Sequence, residues 1–264
     1  MSKPALCQID GLSVTYAGAT HPAVSDLSLS IMAGRRIAII GESGSGKSTL
    51  AKALAGLLPS GTTLSGTVTW NIQSSGLSPV SGRDIGYIFQ DPGASLNPVL
   101  TIGEQVAEAA VRHLGLSWKQ AERHACDLLE QVQLPDPSLL LKAYPHQLSG
   151  GQRQRVAIAA AISARPKMLI ADEATSALDT IAQRAIAALL DKLVSANGMT
   201  LVFITHDIAL ASSLADDIAV LKSGRLMDAG PTSRLIAAPH DTYTRTLLDA
   251  HIDLSTPPLI ASPS

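Results

Sequence analysis

Several features that define other protein classes are scarce in this chain of 264 residues. Cysteine occurs only at Cys7 and Cys126, which excludes a disulfide framework or a cysteine-based zinc site and predicts two small core residues. Aromatic residues make up only 3%, which argues against a surface on which nucleic-acid bases stack. The formal net charge of −2 gives no electrostatic attraction for nucleic acid or anionic lipid. We therefore expect no nucleic-acid partner.

Long apolar runs are also missing. The run that begins at Val156 is interrupted by Ser163 and ends at Arg165, well short of the ~18–20 consecutive apolar residues of a membrane helix. The first five residues lead into a strand pattern and contain no secretory signal, so we expect a cytoplasmic chain that does not span the bilayer. The hydrophobic content of 46% is ample for a packed core, and the length favours one core with an inserted lobe.

The most informative pattern in the sequence is the phosphate-loop motif G-x-x-x-x-G-K-[ST] at residues 41–48, which directly follows the apolar run 36–40. Glycines in such a loop let backbone N–H groups wrap a polyphosphate, and a long side chain at Gly44 or Gly46 would fill the space that the phosphate needs. Lys47 supplies a cation to the β- and γ-phosphates, and the Ser48 hydroxyl can reach Mg²⁺. Alone, the loop predicts only that the chain binds ATP or GTP.

Two further motifs narrow the function. Residues 148–152 read Leu-Ser-Gly-Gly-Gln before an alanine-rich helix, where Ser149 can cap the helix and two glycines leave N–H groups open to an anion. By itself, this segment could also be a capped helix that enters a core. Residues 168–173 are an apolar strand that ends in Asp172 and Glu173, at the edge where open α/β sheets bind ligands. Two adjacent acids beside a triphosphate need two different roles.

Together, these motifs resemble those of the ATP-binding subunits of ABC transporters, a family whose defining motif is LSGGQ. The resemblance runs from about Leu6 to Leu248. It implies an α/β fold in which a phosphate-loop ABC ATPase core carries an N-terminal antiparallel β region and an inserted α-helical lobe. It also implies a dimer, because the LSGGQ motif of one subunit closes over the γ-phosphate of an ATP held by the phosphate loop of the second.

The resemblance implies a role for each polar position. Glu173, His206 and Gln90 would be catalytic: Glu173 activates or positions the attacking water, His206 contacts the γ-phosphate, and Gln90 contacts Mg²⁺ and the water and links the site to the membrane partner. The magnesium ligands would be Ser48, Gln90 and Asp172.

The nucleotide contacts form a longer set. It includes Tyr16, the aromatic that stacks on adenine, and Asp179, from the loop 176–179 that crosses the dimer interface. A lone histidine or tyrosine is more often structural. The order of the motifs and the position at the end of a predicted strand favour a functional role for His206, and they favour one less strongly for Tyr16. The full set is Tyr16, Gly41, Glu42, Ser43, Gly44, Ser45, Gly46, Lys47, Ser48, Thr49, Ser149, Gly150, Gly151, Gln152 and Asp179.

The order of elements predicts one ABC ATP-binding domain over residues 1–264. Residues 1–90 and 150–250 would form the β region and the nucleotide-binding core, residues 91–149 the helical lobe, and residues 255–264 a disordered tail. Strands are expected within 6–30 and at 36–40, 168–171, 200–205 and 218–221, and helices at 50–58, 181–194 and 208–214. In the lobe, Ser117 and Gln120 fit a capping box, and one apolar face would run from Ile102 to Leu114 and another from Ala121 to Val132.

Segments 89–98, 144–147 and 239–245 resemble the branch that imports peptides and nickel in bacteria. Asp241-Thr242 replaces the usual proline of that branch, and Ala174 replaces the proline after the catalytic glutamate. Seven histidines are scattered without ligand spacing, so we do not expect direct nickel binding.

The resulting hypothesis is an ATP-hydrolysing subunit at the cytoplasmic face of the bacterial inner membrane that powers import of nickel or small peptides. Its partners would be a second ABC ATPase, usually a different chain in this branch, two multi-pass permease subunits and, indirectly, a periplasmic solute-binding protein. ATP and Mg²⁺ would be the cofactors. One alternative is an ATPase accessory to a soluble complex such as the phosphonate-degrading machinery. Another is a regulator without turnover, which Glu173 and His206 disfavour.

Overall fold

The computed structural model describes residues 4–72, 78–174 and 179–250. A 3₁₀ turn at Pro145–Gln147 precedes the sixth helix. The strands are β1 (Ala5–Thr15), β2 (Val24–Met32), β3 (Arg36–Ile40), β4 (Thr63–Trp70), β5 (Ile85–Ile88), β6 (Met168–Asp172), β7 (Thr200–Ile204), β8 (Asp217–Lys222) and β9 (Arg225–Pro231). The helices are α1 (Lys47–Ala55), α2 (Pro92–Ser95), α3 (Ile102–Leu114), α4 (Trp118–Gln131), α5 (Pro137–Leu140), α6 (Gly150–Ile162), α7 (Thr180–Asn197), α8 (Ile208–Leu214), α9 (Thr232–Ala237) and α10 (Thr242–Asp249).

The described residues fall into two compact units. The first contains the chain up to Pro79 and again from Met199, and the second is Val80–Gly198. The second unit therefore begins at the strand before Gln90 and includes both the LSGGQ segment and the acidic end of β6.

The first unit holds two groups of strands. Strand β1 pairs antiparallel with β2 and with β4. Strand β3 lies between β7 and β8 and runs parallel to both, and β8 pairs antiparallel with β9. Buried aliphatic side chains fill β3 and β7, as expected for parallel strands that are covered on both faces. The phosphate loop directly follows β3, and His206 comes shortly after β7. Both therefore lie beyond the carboxyl ends of strands in this parallel group.

In the second unit, β5 pairs parallel with β6, and helix α6 packs against β5. Gly86 lies so close to the carbonyl of Ala161 that a Cβ would collide with it, which explains a glycine in this strand. Helices α3, α4 and α6 each begin with a complete capping box, and α3 packs on both α4 and α6. The box at Ser117 and Gln120 confirms the sequence prediction.

The α/β fold class with an antiparallel β region and an inserted set of helices is confirmed. The apolar face predicted for α4 is buried throughout, at Ala121, Ala125, Leu128, Leu129 and Val132. The face predicted for α3 is only partly right, because Leu114 is 37% exposed and Ala107 is buried instead. The domain boundaries predicted at residues 91 and 149 remain a prediction.

Some predicted elements differ from those in the structure, and others fall outside the described residues. Helix α1 begins at Lys47 and ends at Ala55, three residues earlier at each end than predicted. Strand β4 and helices α9 and α10 were not predicted at all. Positions 176–178 of the predicted interface loop and the tail 255–264 lie outside the described residues.

Candidate nucleotide-binding and catalytic residues

The phosphate loop joins β3 to α1, and its glycines are required by the backbone. Gly41 has φ 148° and Gly46 has φ 99°, and a Cβ at either position would collide with a main-chain carbonyl, that of Leu221 or of Ala23. From the sequence, Gly46 was explained by the space that the phosphate needs, and this explanation is wrong, because Gly46 is required by its close packing against the main chain. Gly44 has φ 76° and nothing within 4 Å of a built Cβ, so there the space beside the loop is open as expected.

Lys47 is held within this loop. Its side chain is buried, and the ammonium Nζ donates to the carbonyls of Gly41 and Glu42 at 2.8 and 2.7 Å. The Ser45 hydroxyl lies 3.5 Å away. Folding Nζ back against the loop backbone places the positive charge of the motif inside the segment that would cradle phosphates.

The start of α1 fits an anion. Its N-cap Gly46 makes no side-chain cap bond, and its first turn contains no acidic residue, whereas α3, α4 and α6 have side-chain caps. The first N–H groups of a helix have no intrahelical partner and carry the positive end of the helix dipole. A helix start without a side-chain acceptor, preceded by left-handed glycines, is therefore suited to the phosphates of ATP.

Tyr16 lies against the same helix. Its hydroxyl is 3.1 Å from the Thr49 hydroxyl, within hydrogen-bond distance, and its ring is half-buried. Elsewhere in the first unit, His206 is exposed on the turn between β7 and α8. That turn is fixed by its neighbours, because Thr205 accepts from the Asp207 N–H at 3.0 Å and Asp207 caps α8 at Leu210.

In the second unit, the structure brings together the predicted polar ends of β5 and β6. The Gln90 amide Nε2 donates to Glu173 Oε2 at 3.0 Å. The Tyr87 hydroxyl donates to Asp172 Oδ2 at 2.7 Å, and Asp172 is buried. Glu173 has φ 47°, a left-handed conformation that is uncommon for a residue with a side chain. Backbone strain of this kind is typical of functional positions.

The predicted magnesium ligands supply a hydroxyl from Ser48, an amide from Gln90 and a carboxylate from Asp172. Oxygen donors of this kind are those that Mg²⁺ prefers, so the donor set fits the ion. In the part of the chain that the structure describes, no group of three or more His, Cys, Asp or Glu residues could hold a metal.

The LSGGQ segment starts helix α6. Ser149 is the N-cap and accepts from the Gln152 N–H at 3.2 Å, while Gln152 Oε1 accepts from the Ser149 N–H at 2.9 Å. Gly150 and Gly151 lie between them with no positive φ, and a Cβ built on either would meet nothing within 4 Å. Neither conformation nor packing against the described residues requires these two glycines. Asp179, also in the predicted set, caps α7 by accepting from the Ala182 N–H at 2.8 Å.

The sequence interpretation missed two tyrosines. Tyr87 stands in an apolar strand, and only the parallel pairing of β5 with β6, which sets Tyr87 opposite Ile170, brings it to Asp172. Tyr243, far along the chain, donates from its hydroxyl to Glu42 Oε1 of the phosphate loop at 3.1 Å. Its place in segment 239–245 was noted, but no pattern in the sequence connects that segment to the loop.

The ABC transporter family model matches residues 24–176, and the chain belongs to this family. It is 42% identical to the dipeptide transport ATP-binding protein DppD of Escherichia coli K12, over 93% of this chain and 78% of DppD. It is 41% identical to the peptidoglycan transport ATP-binding protein YejF of Agrobacterium fabrum, covering 96% of this chain but only 49% of YejF. The chain thus spans about half the length of that relative.

Solved structures show the same fold. A post-hydrolysis dimer of the ATP-binding cassette MJ0796 with ADP and Pi superimposes with a TM-score of 0.73 at 30% identity, over 86% of this chain and 98% of that one. CbiO1 of Clostridium perfringens, part of the ABC transporter complex cbiONQ, gives 0.75 at 29% identity over 89% and 92%. Among the described residues, no helix is long and apolar enough to cross a membrane.

Proposed function

We propose that this chain is the ATP-hydrolysing subunit of a bacterial importer for small peptides. The observation that carries the proposal is the phosphate loop. Its left-handed glycines precede a helix whose N-cap makes no side-chain bond, and the Lys47 side chain is buried. Membership of the ABC transporter family and the likeness to a cassette that binds ADP and Pi support it.

The proposed reaction gives each predicted residue a role toward the nucleotide. The loop N–H groups and Lys47 bind and orient the phosphates, and Tyr16 supports the adenine. Ser48, Asp172 and Gln90 would hold Mg²⁺, which neutralises phosphate charge when bound. Phosphoryl transfer depends on positioning and charge stabilisation more than on covalent chemistry.

Glu173 receives the proton of the attacking water in this proposal. Gln90 orients the Glu173 carboxylate through the 3.0 Å bond between them, and the same amide can hold the water. A carboxylate that is oriented by a partner at the end of a buried strand is suited to act as a general base on a water within hydrogen-bond reach. His206 is proposed to contact the γ-phosphate from its exposed turn.

The two glycines at the start of α6 support a dimer. Glycine in a helix costs about 0.5–1 kcal/mol relative to alanine, and nothing among the described residues offsets that cost at Gly150 or Gly151. Glycine at these two positions is explained if a ligand from outside approaches the backbone there closely. We propose that this ligand is the ATP bound to a second ABC subunit, with Asp179 beside it at the interface. The second subunit is proposed to be a different chain.

The remaining assignments concern the membrane system. We propose that the helices between residues 91 and 149 dock on two multi-pass permease subunits, at the cytoplasmic face of the inner membrane, and that a periplasmic protein delivers the solute. The similar proteins named for dipeptide, glutathione and peptidoglycan transport favour a peptide cargo over nickel.

Affinity purification of the tagged full chain from detergent-solubilised membranes tests this proposal. We expect two multi-pass proteins and a second LSGGQ-bearing ATPase in the eluate. The solute-binding protein of the same transport system should bind dipeptides and not Ni²⁺. Recovery of soluble enzymes alone would instead support the accessory ATPase and contradict transport. A solute-binding protein that takes only Ni²⁺ would contradict the peptide assignment.

A further inference from the structure

The C-terminal helix α10 contacts the phosphate loop through one side chain. Tyr243, in the first turn of α10, donates from its hydroxyl to Glu42 Oε1 at 3.1 Å. Glu42 is the only acidic residue among positions 41–48. Its backbone carbonyl accepts from the Lys47 ammonium at 2.7 Å. Two hydrogen bonds at Glu42 therefore connect the C-terminal helix with the cation of the phosphate loop.

The position of Tyr243 is fixed on several sides. Asp241 caps α10 by accepting from the N–H groups of Tyr243 and Thr244 at 2.8 and 3.2 Å. The buried Asp228 accepts from the His240 N–H at 2.8 Å and so anchors the residue before the cap. The Lys222 ammonium lies 4.1 Å from the centroid of the Tyr243 ring, a cation–π contact. The hydroxyl is thus presented to the loop by a rigid support.

The chemistry of the pair explains what this contact does. Burial and the neighbouring Glu42 carboxylate raise the pKa of the Tyr243 hydroxyl above its usual range, so it stays protonated and can donate throughout the neutral range. A carboxylate on a phosphate loop competes with phosphates for the same N–H groups and for Lys47, and it repels the triphosphate. A hydrogen bond that holds this carboxylate at α10 removes the competition.

We propose that Tyr243 is a positioning residue that holds the Glu42 carboxylate away from the phosphate-binding groups, so that α10 sets the affinity of the loop for ATP. This inference rests on the proposed function, since it concerns the same nucleotide. Segment 239–245 then acts through two side chains, because Asp241 caps the helix and Tyr243 reaches the loop from its first turn.

A double-mutant cycle tests the proposal. The dissociation constant of MgATP is measured on the purified full chain by displacement of a fluorescent ATP analogue. Tyr243→Phe keeps the ring under Lys222 and removes only the hydroxyl, and we expect binding about 3- to 10-fold weaker, the range of one hydrogen bond. In the Glu42→Gln background, where no carboxylate is left to compete, the same substitution should change binding by less than about twofold.

A third variant separates charge from reach. Glu42→Asp keeps the charge but is one methylene shorter, so it should weaken binding as Tyr243→Phe does. In hydrolysis assays, Tyr243→Phe should raise KM and leave kcat unchanged, because the lost effect is on binding alone. Thr246→Val is the matched control, since the Thr246 hydroxyl bonds within α10, to the carbonyl of Thr242. It should bind MgATP as the unaltered chain does.

Three results would overturn the proposal. Unchanged affinity in Tyr243→Phe would show that the hydroxyl has no effect on the nucleotide. Equal weakening by Tyr243→Phe with and without the Glu42→Gln substitution would show that Tyr243 acts through packing. Normal affinity in Glu42→Asp would show that reach to the tyrosine does not matter. If the unaltered chain bound no MgATP, that result would contradict the proposed function itself.

Discussion

Single side chains at the ends of β5 and β6 are held by specific partners. Asp172 is buried and accepts from Tyr87, while Glu173 adopts a left-handed backbone and accepts from Gln90. A partner that orients a metal-binding carboxylate is as much a part of the site as the ligand itself. If Asp172 holds Mg²⁺, Tyr87 should therefore affect magnesium affinity without touching the ion.

Tyr87→Phe tests this at the residue scale. Loss of the 2.7 Å hydrogen bond removes one restraint on the orientation of the Asp172 carboxylate, and we expect the Mg²⁺ concentration for half-maximal ATP hydrolysis to rise about tenfold. Tyr144→Phe, in an exposed side chain that stacks on His146, serves as the control and should leave the magnesium dependence unchanged. Equal magnesium curves for all three proteins would refute the assignment of Asp172.

At the element scale, the start of α6 contains glycines that stability does not favour. Gly151→Ala should stabilise the fold by about 0.5 kcal/mol, because φ is ordinary and the added methyl meets nothing, yet it should lower ATP hydrolysis by the assembled dimer. Thermal unfolding and phosphate release are measured on the same protein. Gly115→Ala provides the contrast: Gly115 caps α3 with φ 67°, so alanine should destabilise by about 1 kcal/mol. A more stable Gly151→Ala protein with full activity would contradict the proposed contact.

The segment that leads into α10 makes a pH-dependent contribution to stability. Burial would raise the pKa of the Asp228 carboxyl, but the His240 N–H and the Arg234 guanidinium bonded to it hold that pKa below its usual range. A lowered pKa in the folded state stabilises the protein above the pKa of the unfolded chain, and this stabilisation is lost as the pH falls through the folded value.

Asp228→Asn should accordingly lower the melting temperature at pH 7 and have a much smaller effect at pH 3, measured by circular dichroism. Removing the charge at neutral pH leaves Arg234 without its 2.9 Å ion pair, and the cost should be about 1–3 kcal/mol. Asp249→Asn, at the exposed end of α10, should shift neither melting temperature. A constant difference between pH 7 and pH 3 would show that the charge of Asp228 is not involved.

Elements with strong periodicity were predictable from the sequence, and contacts distant in sequence were not. The apolar face of α4 and the buried strand β7 follow from spacing and composition alone. Strand β4 was missed although Leu64, Val68 and Trp70 alternate with polar residues in its sequence, and most of its residues are exposed. The bonds of Tyr87 to Asp172 and of Tyr243 to Glu42 join residues 85 and 201 positions apart, and only the folded chain brings them together.

At the scale of the whole molecule, ATP hydrolysis should require two ABC subunits. The phosphate loop and the LSGGQ segment of one chain are proposed to serve two different nucleotides, so ATP should join two subunits. Glu173→Gln, which should bind ATP without hydrolysing it, should elute as a dimer with its partner ATPase in MgATP and as separate chains in MgADP. Size-exclusion chromatography with light scattering measures this. A mass that is independent of the nucleotide would contradict the sandwiched ATP.

Phosphate release from MgATP by the purified subunit with its partner ATPase is the most direct measurement of the central claim. We expect steady turnover in the unaltered protein and a loss of at least about 100-fold in Glu173→Gln, the contribution expected of a general base, with ATP still bound. Glu108→Gln, on the exposed side of α3, should retain full turnover. Unchanged phosphate release in Glu173→Gln would contradict the assignment of the catalytic base, and no release from the unaltered protein would contradict the proposed ATP hydrolysis.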